Sequence, residues 1–143
     1  MSSLLDRAGN LIEDRYPPWN EASTPVPATP ALVSLEQFFA IEVPGPGLAV
    51  QLPNTMDVRD LPESVLRRPL VVLSFPGFAD GRAYSQARLL SRNPRFTGGL
   101  RATGAAVVLD QLIMLRHCGV SEFQLRPDQN SRSCAAVLRK VPL

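Results

Sequence analysis

Apolar runs alternate with helix-like stripes of apolar residues along most of the chain. The run from Leu70 to Phe75 is apolar and rich in β-branched residues, which is typical of a strand buried in a parallel sheet. Shorter strands are predicted at Leu48 to Leu52, Leu100 to Ala102 and Phe123 to Leu125. Helices are predicted to open at Ser34 and to cover Leu61 to Arg68, Ala83 to Arg92, Ala105 to Cys118 and Ser133 to Arg139.

The alternation of strands and helices predicts the α/β class. Right-handed crossovers between successive strands give a small, mostly parallel sheet built from βα units. A chain of 143 residues is long enough for one domain with a proper core and too short for two. We therefore predict a single α/β domain over residues 32–143.

Turn and cap residues mark several ends of these elements. Ser34 followed by Gln37 has the pattern of a capping box at a helix start. Pro69 ends the helix before the central strand, and Gly119 is predicted to cap the helix that ends at Cys118.

The first 31 residues differ in character from the rest of the chain. Leu4-Leu5 and Leu11-Ile12 flank residues 6–10, which predicts a short opening hairpin. Tyr16 to Pro30 is rich in proline and is predicted to be an extended connector, with Trp19 as a packing anchor. Residues 1–31 are thus a hairpin and a proline-rich connector that precede the domain.

Composition excludes some classes of protein and leaves the charge open to two interpretations. No window approaches the roughly 18 consecutive apolar residues of a membrane span, and residues 1–10 lack a secretory h-region, so we expect a cytoplasmic protein. Residues 1–81 carry five arginines and ten acids, whereas residues 82–143 carry ten basic residues and three acids. This asymmetry fits an acidic layer packed on a basic one, or a basic face that meets an anion or acidic partner. A single lysine and few aromatics disfavour nucleic acid.

The metal-ligating and cofactor-binding residue types are scarce. Cys118 and Cys134 lie 16 positions apart without a CxxC pattern, and His117 is the single histidine. Such a set holds neither zinc nor an iron–sulfur cluster, so the cysteines are expected to be reduced and buried. The chain has no Walker motif and no GxGxxG. We predict no metal and no bound cofactor.

The loop after the central strand carries the first group of candidate site residues. Asp80-Gly81-Arg82 reads as a tight turn in which Asp80 could cap the following helix. The functional interpretation adds Ser85, because helix N–H groups, a guanidinium and a hydroxyl together favour an oxyanion. Both interpretations stand at this point.

Three further polar residues interrupt predicted apolar elements. Arg101 lies in a short strand, where it is expected to pair with Asp80 or Asp110 or to point into the same site as Arg82. Asp110 and Gln111 interrupt the predicted helix from Ala105 to Cys118, and a carboxylate there is expected to form a salt bridge to Arg101. We therefore expect the four charged residues to be neighbours.

These motifs, in this order, resemble a bacterial family catalogued as domain of unknown function 934. The resemblance rests on FPGFADGRAYSQARLL, GGLRATG, LDQL and HCGVSEFQLRPD, which span roughly residues 70–128. It implies motif positions at Phe75, Pro76, Phe78, Asp80, Gly81, Arg82, Ser85, Arg101, Ala102, Gly104, Asp110 and Gln111. Members of the family are described as probable oxidoreductases associated with sulfite reduction.

The resemblance and the residues together leave two functional hypotheses. The first is an accessory or binding protein of assimilatory sulfite reduction, with sulfite reductase or a related sulfur-assimilation enzyme as partner and a small oxyanion at residues 76–85. The second is a small enzyme, an oxidoreductase or transferase, that acts on an anionic metabolite with Arg82, Arg101 and Asp110 in its site. An open cleft around the four charged residues would favour the enzyme, and a closed network would favour the accessory protein.

Overall fold

A computed structural model describes residues 3–20 and 30–143, which form a six-stranded sheet with helices packed on it. The strands stand in the order β1-β6-β5-β4-β3-β2, and all neighbours are parallel except β1, which runs antiparallel to β6. The predicted α/β class and mostly parallel sheet are confirmed. The strands are β1 Leu4–Asp6, β2 Ala31–Ser34, β3 Leu48–Leu52, β4 Leu70–Ser74, β5 Gly99–Thr103 and β6 Glu122–Gln124.

Five helices and two 3₁₀ turns connect or follow these strands. The capping box predicted at Ser34 and Gln37 is present, with both reciprocal hydrogen bonds formed. Gly119 has a φ of +106° and follows the last helical turn before β6, so the glycine predicted there does end that helix. The helices are α1 Leu35–Ala40, α2 Glu63–Leu66, α3 Arg82–Arg92, α4 Leu112–His117 and α5 Ser131–Lys140, with 3₁₀ turns at Val58–Asp60 and Leu109–Gln111.

The helix predicted from Ala105 to Cys118 begins later than expected. Residues 105–108 instead hydrogen-bond to neighbouring segments, since Ala106 N–H donates to the Phe75 carbonyl and Val107 accepts from Arg126 N–H. Because these backbone groups are already satisfied outside a helix, the α-helix starts at Leu112.

The strands from β2 to β6 lie side by side in sequence order, so every crossover moves in the same direction across the sheet. Right-handed crossovers of this kind place their helices on one face. The main core lies there, where strand residues such as Val71, Leu100 and Phe123 meet residues of all five helices. A parallel sheet whose strand order reverses has a crevice at the reversal, and the described strands contain no such point.

An N-terminal strap crosses the opposite face of the sheet. The predicted hairpin is present, as Leu11 bridges to Leu5 and Ile12 N–H donates to the Leu4 carbonyl. The chain then crosses to the other edge, where the Pro17 carbonyl accepts from Leu32 N–H of β2 at 2.9 Å. We call residues 12–19 the strap. The predicted connector is extended where it is described, and residues 21–29 of it lie outside the described residues.

The strap buries a second, smaller apolar cluster on this face. Tyr16 of the strap packs with Ala49, Leu70 and Val72 from the two central strands. Trp19 packs against the main core, in agreement with the packing role predicted for it. The strap therefore shields one face of the sheet, and the helices shield the other.

Candidate functional site

Asp80 and Arg82 form a closed pair at the start of α3. Asp80 Oδ1 accepts from the backbone N–H of Arg82 at 3.1 Å and from its Nε at 3.0 Å, while Oδ2 accepts from Nη2 at 2.8 Å. Asn54 Nδ2 also donates to Asp80 Oδ2 at 2.7 Å. The cap position itself belongs to Gly81, one residue later than predicted, although Asp80 still accepts a helix N–H.

The pairing keeps Asp80 ionised over a wide range of pH. The guanidinium and the backbone N–H of Arg82 lower the pKa of Asp80 to about 2. Asp80 in turn raises the pKa of Arg82. Gly81 has a φ of −83°, so the turn does not use the positive φ for which glycine seemed suited.

The same turn occurs a second time, in a place that the sequence interpretation missed. Arg59 donates its backbone N–H and Nε to Asp57 Oδ1, both at 3.0 Å, and Nη2 to Oδ2 at 2.8 Å. Its guanidinium lowers the pKa of Asp57 to about 2. The repeated Asp-x-Arg spacing at 57–59 and 80–82 was the signal that could have revealed it.

The two turns line one pocket of about 250 Å³ between residues 54–59 and α3. Arg59 and Arg82 are both well exposed, at 72% and 58% of their side-chain surface. Ser85 lies in the same pocket, as the oxyanion hypothesis required, and the apolar side chains of Met56 and Leu89 complete much of the lining.

Gln86 lies beneath this pocket with one polar atom unpaired. Its Nε2 donates to the carbonyls of Pro53 and Met56, each at 2.9 Å, and so ties residues 53–56 to α3. Its Oε1 is buried and has no hydrogen-bond partner in the part of the chain that the structure describes. A buried, unpaired acceptor costs about 1–3 kcal/mol, which makes this atom unusual among native polar groups.

Arg101 lies apart from this pocket, so the prediction that it joins Asp80, Arg82 or Asp110 is wrong. Leu100 and Ala102 face the main core, and alternation along β5 sends Arg101 to the strap face. There its Nε donates to Glu122 Oε2 at 2.9 Å and its Nη1 to Asp14 Oδ1 at 3.0 Å. Only 2% of the Arg101 side chain is exposed. These three residues, the Arg101 triad, anchor the strap to the sheet.

The prediction of a buried Asp110 salt-bridged to Arg101 is also wrong. Asp110 lies in a 3₁₀ turn, is exposed, and has no ion pair within the described residues. Its neighbour Gln111 does have a defined contact, because the Tyr84 hydroxyl donates to Gln111 Oε1 at 2.8 Å. Tyr84 stacks edge-on to Phe75 at 5.0 Å, and burial raises the pKa of its phenol. Gln111 thus fixes an aromatic residue of α3.

Arg116 is a second buried arginine that the sequence interpretation did not single out. Its side chain, on α4, donates to the carbonyls of Arg7 at 3.1 Å, Leu138 at 3.0 Å and Val141 at 2.7 Å. The guanidinium therefore joins the opening hairpin to the end of α5, where helix carbonyls lack internal partners.

The remaining chemistry-bearing residues do not form a site. Cys118 and Cys134 are both free and buried, as predicted, and burial raises the pKa of Cys134. Residues 3–20 and 30–143 contain no group of three or more metal-ligating side chains, and no helix among them is long and apolar enough to span a membrane.

The candidate residues therefore divide into three separate places. Asp80, Arg82 and Ser85 surround the pocket beside α3, whereas Arg101 lies under the strap and Asp110 on the surface. A sequence model described as "Bacterial protein of unknown function (DUF934)" matches residues 49–142. No curated protein and no solved structure was found to match the chain.

Proposed function

The chain belongs to this bacterial family of unknown function, and we propose that it is a non-catalytic accessory protein of assimilatory sulfite reduction. In this proposal it docks on sulfite reductase or a related sulfur-assimilation enzyme through the pocket beside α3. The link to sulfite reduction comes from the family resemblance, and the choice of an accessory protein over an enzyme comes from the geometry.

One observation carries the choice of an accessory protein. The charged candidates are engaged with partners of their own and do not converge on an open cleft. Asp80 is held by Arg82, and Arg101 is enclosed with Glu122 and Asp14 on the other face of the sheet. An enzyme that used Arg82, Arg101 and Asp110 together would need all three within reach of one substrate. Their separation disfavours that alternative.

The surface that stays available suits docking. Arg59 and Arg82 are held in fixed orientations by their own aspartates, yet more than half of each side chain is exposed. Arginine that is pre-organised in this way loses little entropy on binding a carboxylate or another oxyanion. Ser85 adds an exposed hydroxyl to the same pocket, so a small oxyanion is the second ligand that this surface suits.

Capture from native extract tests the proposal. Tagged protein should retain sulfite reductase or another sulfur-assimilation enzyme, as identified by mass spectrometry. The Arg59→Gln/Arg82→Gln variant should lose it, while Arg67→Gln should keep it, because Arg67 is equally exposed but lies outside the pocket. Circular dichroism should show that all three proteins are folded. Retention of no such enzyme by the wild type, or turnover of an anionic metabolite by the purified chain alone, would contradict the accessory role.

A further inference from the structure

The pocket beside α3 presents two arginine edges that are already oriented for a ligand. A guanidinium has two bidentate edges, one formed by Nε and Nη2 and one by Nη1 and Nη2. In both Arg59 and Arg82 the first edge is taken by the aspartate two residues earlier. Among the residues that the structure describes, Nη1 of neither arginine has a partner. Each arginine therefore offers its second edge to a carboxylate.

The net charge of this pocket favours a single carboxylate over a more highly charged anion. Each arginine brings its own ionised aspartate, so the two Asp-x-Arg turns together carry no net charge. A phosphate with two charges would meet those aspartates without a surplus of positive charge to compensate. A carboxylate needs only the donors of the free edges.

Gln86 adds a requirement that a bare oxyanion cannot meet. Its Nε2 is committed to two carbonyls, which fixes the amide orientation and leaves Oε1 as an acceptor without a donor. Gln86 is 4% exposed and lines the pocket. A ligand that satisfies this atom must carry an N–H or O–H close to its carboxylate.

The rest of the lining is apolar. Met56, Val58 and Leu89 border the pocket, and Leu89 exposes 43% of its surface although it is a large aliphatic residue. The volume of about 250 Å³ accommodates one amino-acid residue and not a drug-sized molecule. The ligand should therefore combine a carboxylate, an N–H and one apolar side chain.

We propose that this pocket captures the apolar C-terminal residue of a partner protein, which gives the proposed docking function its recognition chemistry. The terminal carboxylate binds the free edges of Arg59 and Arg82, and the side chain packs on Met56 and Leu89. The amide N–H of the same residue donates to Gln86 Oε1. In a terminal residue all three groups extend from one Cα, and backbone capture of chain ends is an established mode of recognition.

Peptide binding followed by nuclear magnetic resonance tests this inference without altering the protein. The probe is N-acetyl-Ala-Ala-Leu with a free carboxylate, added to ¹⁵N-labelled chain at millimolar concentration. Its saturable shifts should be confined to residues 54–59 and 82–89. The same peptide with a C-terminal amide should bind at least about tenfold more weakly, as should a peptide whose leucine nitrogen is methylated.

Variants of the protein separate bidentate recognition from simple charge attraction. Arg59→Lys/Arg82→Lys keeps both charges but removes the planar edges, and should weaken binding of the free carboxylate by about tenfold. Arg67→Gln, at an exposed arginine outside the pocket, should bind the peptide as the wild type does.

The negative outcomes are distinct. Absence of shifts in the pocket, or equal binding of the amidated peptide, would overturn the inference. So would equal binding of the N-methylated peptide, or of N-acetyl-Ala-Asp-Ala-amide, which carries its carboxylate internally. If the chain still captured a sulfur-assimilation enzyme while none of the peptides bound, this inference would fail and the docking function would stand.

Discussion

Removal of the Arg101 side chain should be among the most damaging single substitutions on the strap face. Arg101 is 2% exposed and Glu122 is 14% exposed, whereas Asp14 is 46% exposed. Arg101→Met keeps the aliphatic bulk and leaves the Glu122 carboxylate nearly buried without a cation. Breaking a buried pair in this way costs about 3–5 kcal/mol. That loss is a large fraction of the total for a domain that is stable by about 5–15 kcal/mol.

The partners of Arg101 should rank by their burial. Asp14→Asn removes a half-exposed charge and should cost about 0.2–1 kcal/mol, as exposed ion pairs do. Glu122→Gln should lie between the two, because Arg101 then keeps only Asp14. The double variant Arg101→Met/Glu122→Met should be more stable than Arg101→Met alone, since apolar replacement of both partners removes the uncompensated buried charge.

Urea unfolding followed by circular dichroism measures these differences as midpoints. The slopes with denaturant should match the wild type, so that midpoint shifts report stability. A loss below about 1 kcal/mol for Arg101→Met would refute the assignment of a buried triad. A double variant less stable than Arg101→Met would refute the argument that the unpaired Glu122 carboxylate is the cause.

Other predictions concern glycines, surface charges, pH and colour. Gly104→Ala should be destabilising in thermal unfolding, because φ is +116° and a Cβ would lie 2.5 Å from a backbone carbonyl oxygen, whereas Gly81→Ala should be neutral or stabilising by up to about 1 kcal/mol. Asp110→Ala should shift the urea midpoint less than Asp80→Ala does, because only Asp80 has partners. The lowered pKa of Asp80 means that its contribution to stability is complete above about pH 4 and declines towards pH 2, and Asp80→Asn should abolish that part of the stability-versus-pH profile. The purified protein should be colourless by visible absorption, with flavin, haem or cluster bands as the contrary result.

The βα pattern of the domain could be predicted from sequence because local signals agree with the tertiary structure there. The apolar run at β4 and the Ser34 capping box both have their expected roles. Strand β2 was missed, since four residues between Pro30 and a helix start carry little periodicity. Residues 105–108 failed for another reason, as their hydrogen bonds go to distant segments that periodicity does not reveal.

The candidate site was predictable only as far as its interactions are local. Asp80 and Arg82 lie two residues apart, and their contact follows from that spacing. Arg101 and Asp14 lie 87 residues apart, and they meet only because the strap crosses the sheet. Gln86 gave no signal, because its unpaired oxygen arises from the fold around it and not from its sequence neighbours. Thus spacing identified the Asp80-Arg82 turn, and topology decided which other residues joined it.

The most direct test of the accessory role is the binding of purified chain to purified assimilatory sulfite reductase, measured by isothermal titration calorimetry at low and high salt. We expect saturable binding that weakens as salt rises, because exposed charge attraction is screened within about 10 Å at 0.1 M. The Arg59→Gln/Arg82→Gln variant should bind much more weakly, and Arg67→Gln should bind as the wild type does. Absence of heat with the wild type, or binding that neither salt nor the double variant changes, would contradict docking through this pocket.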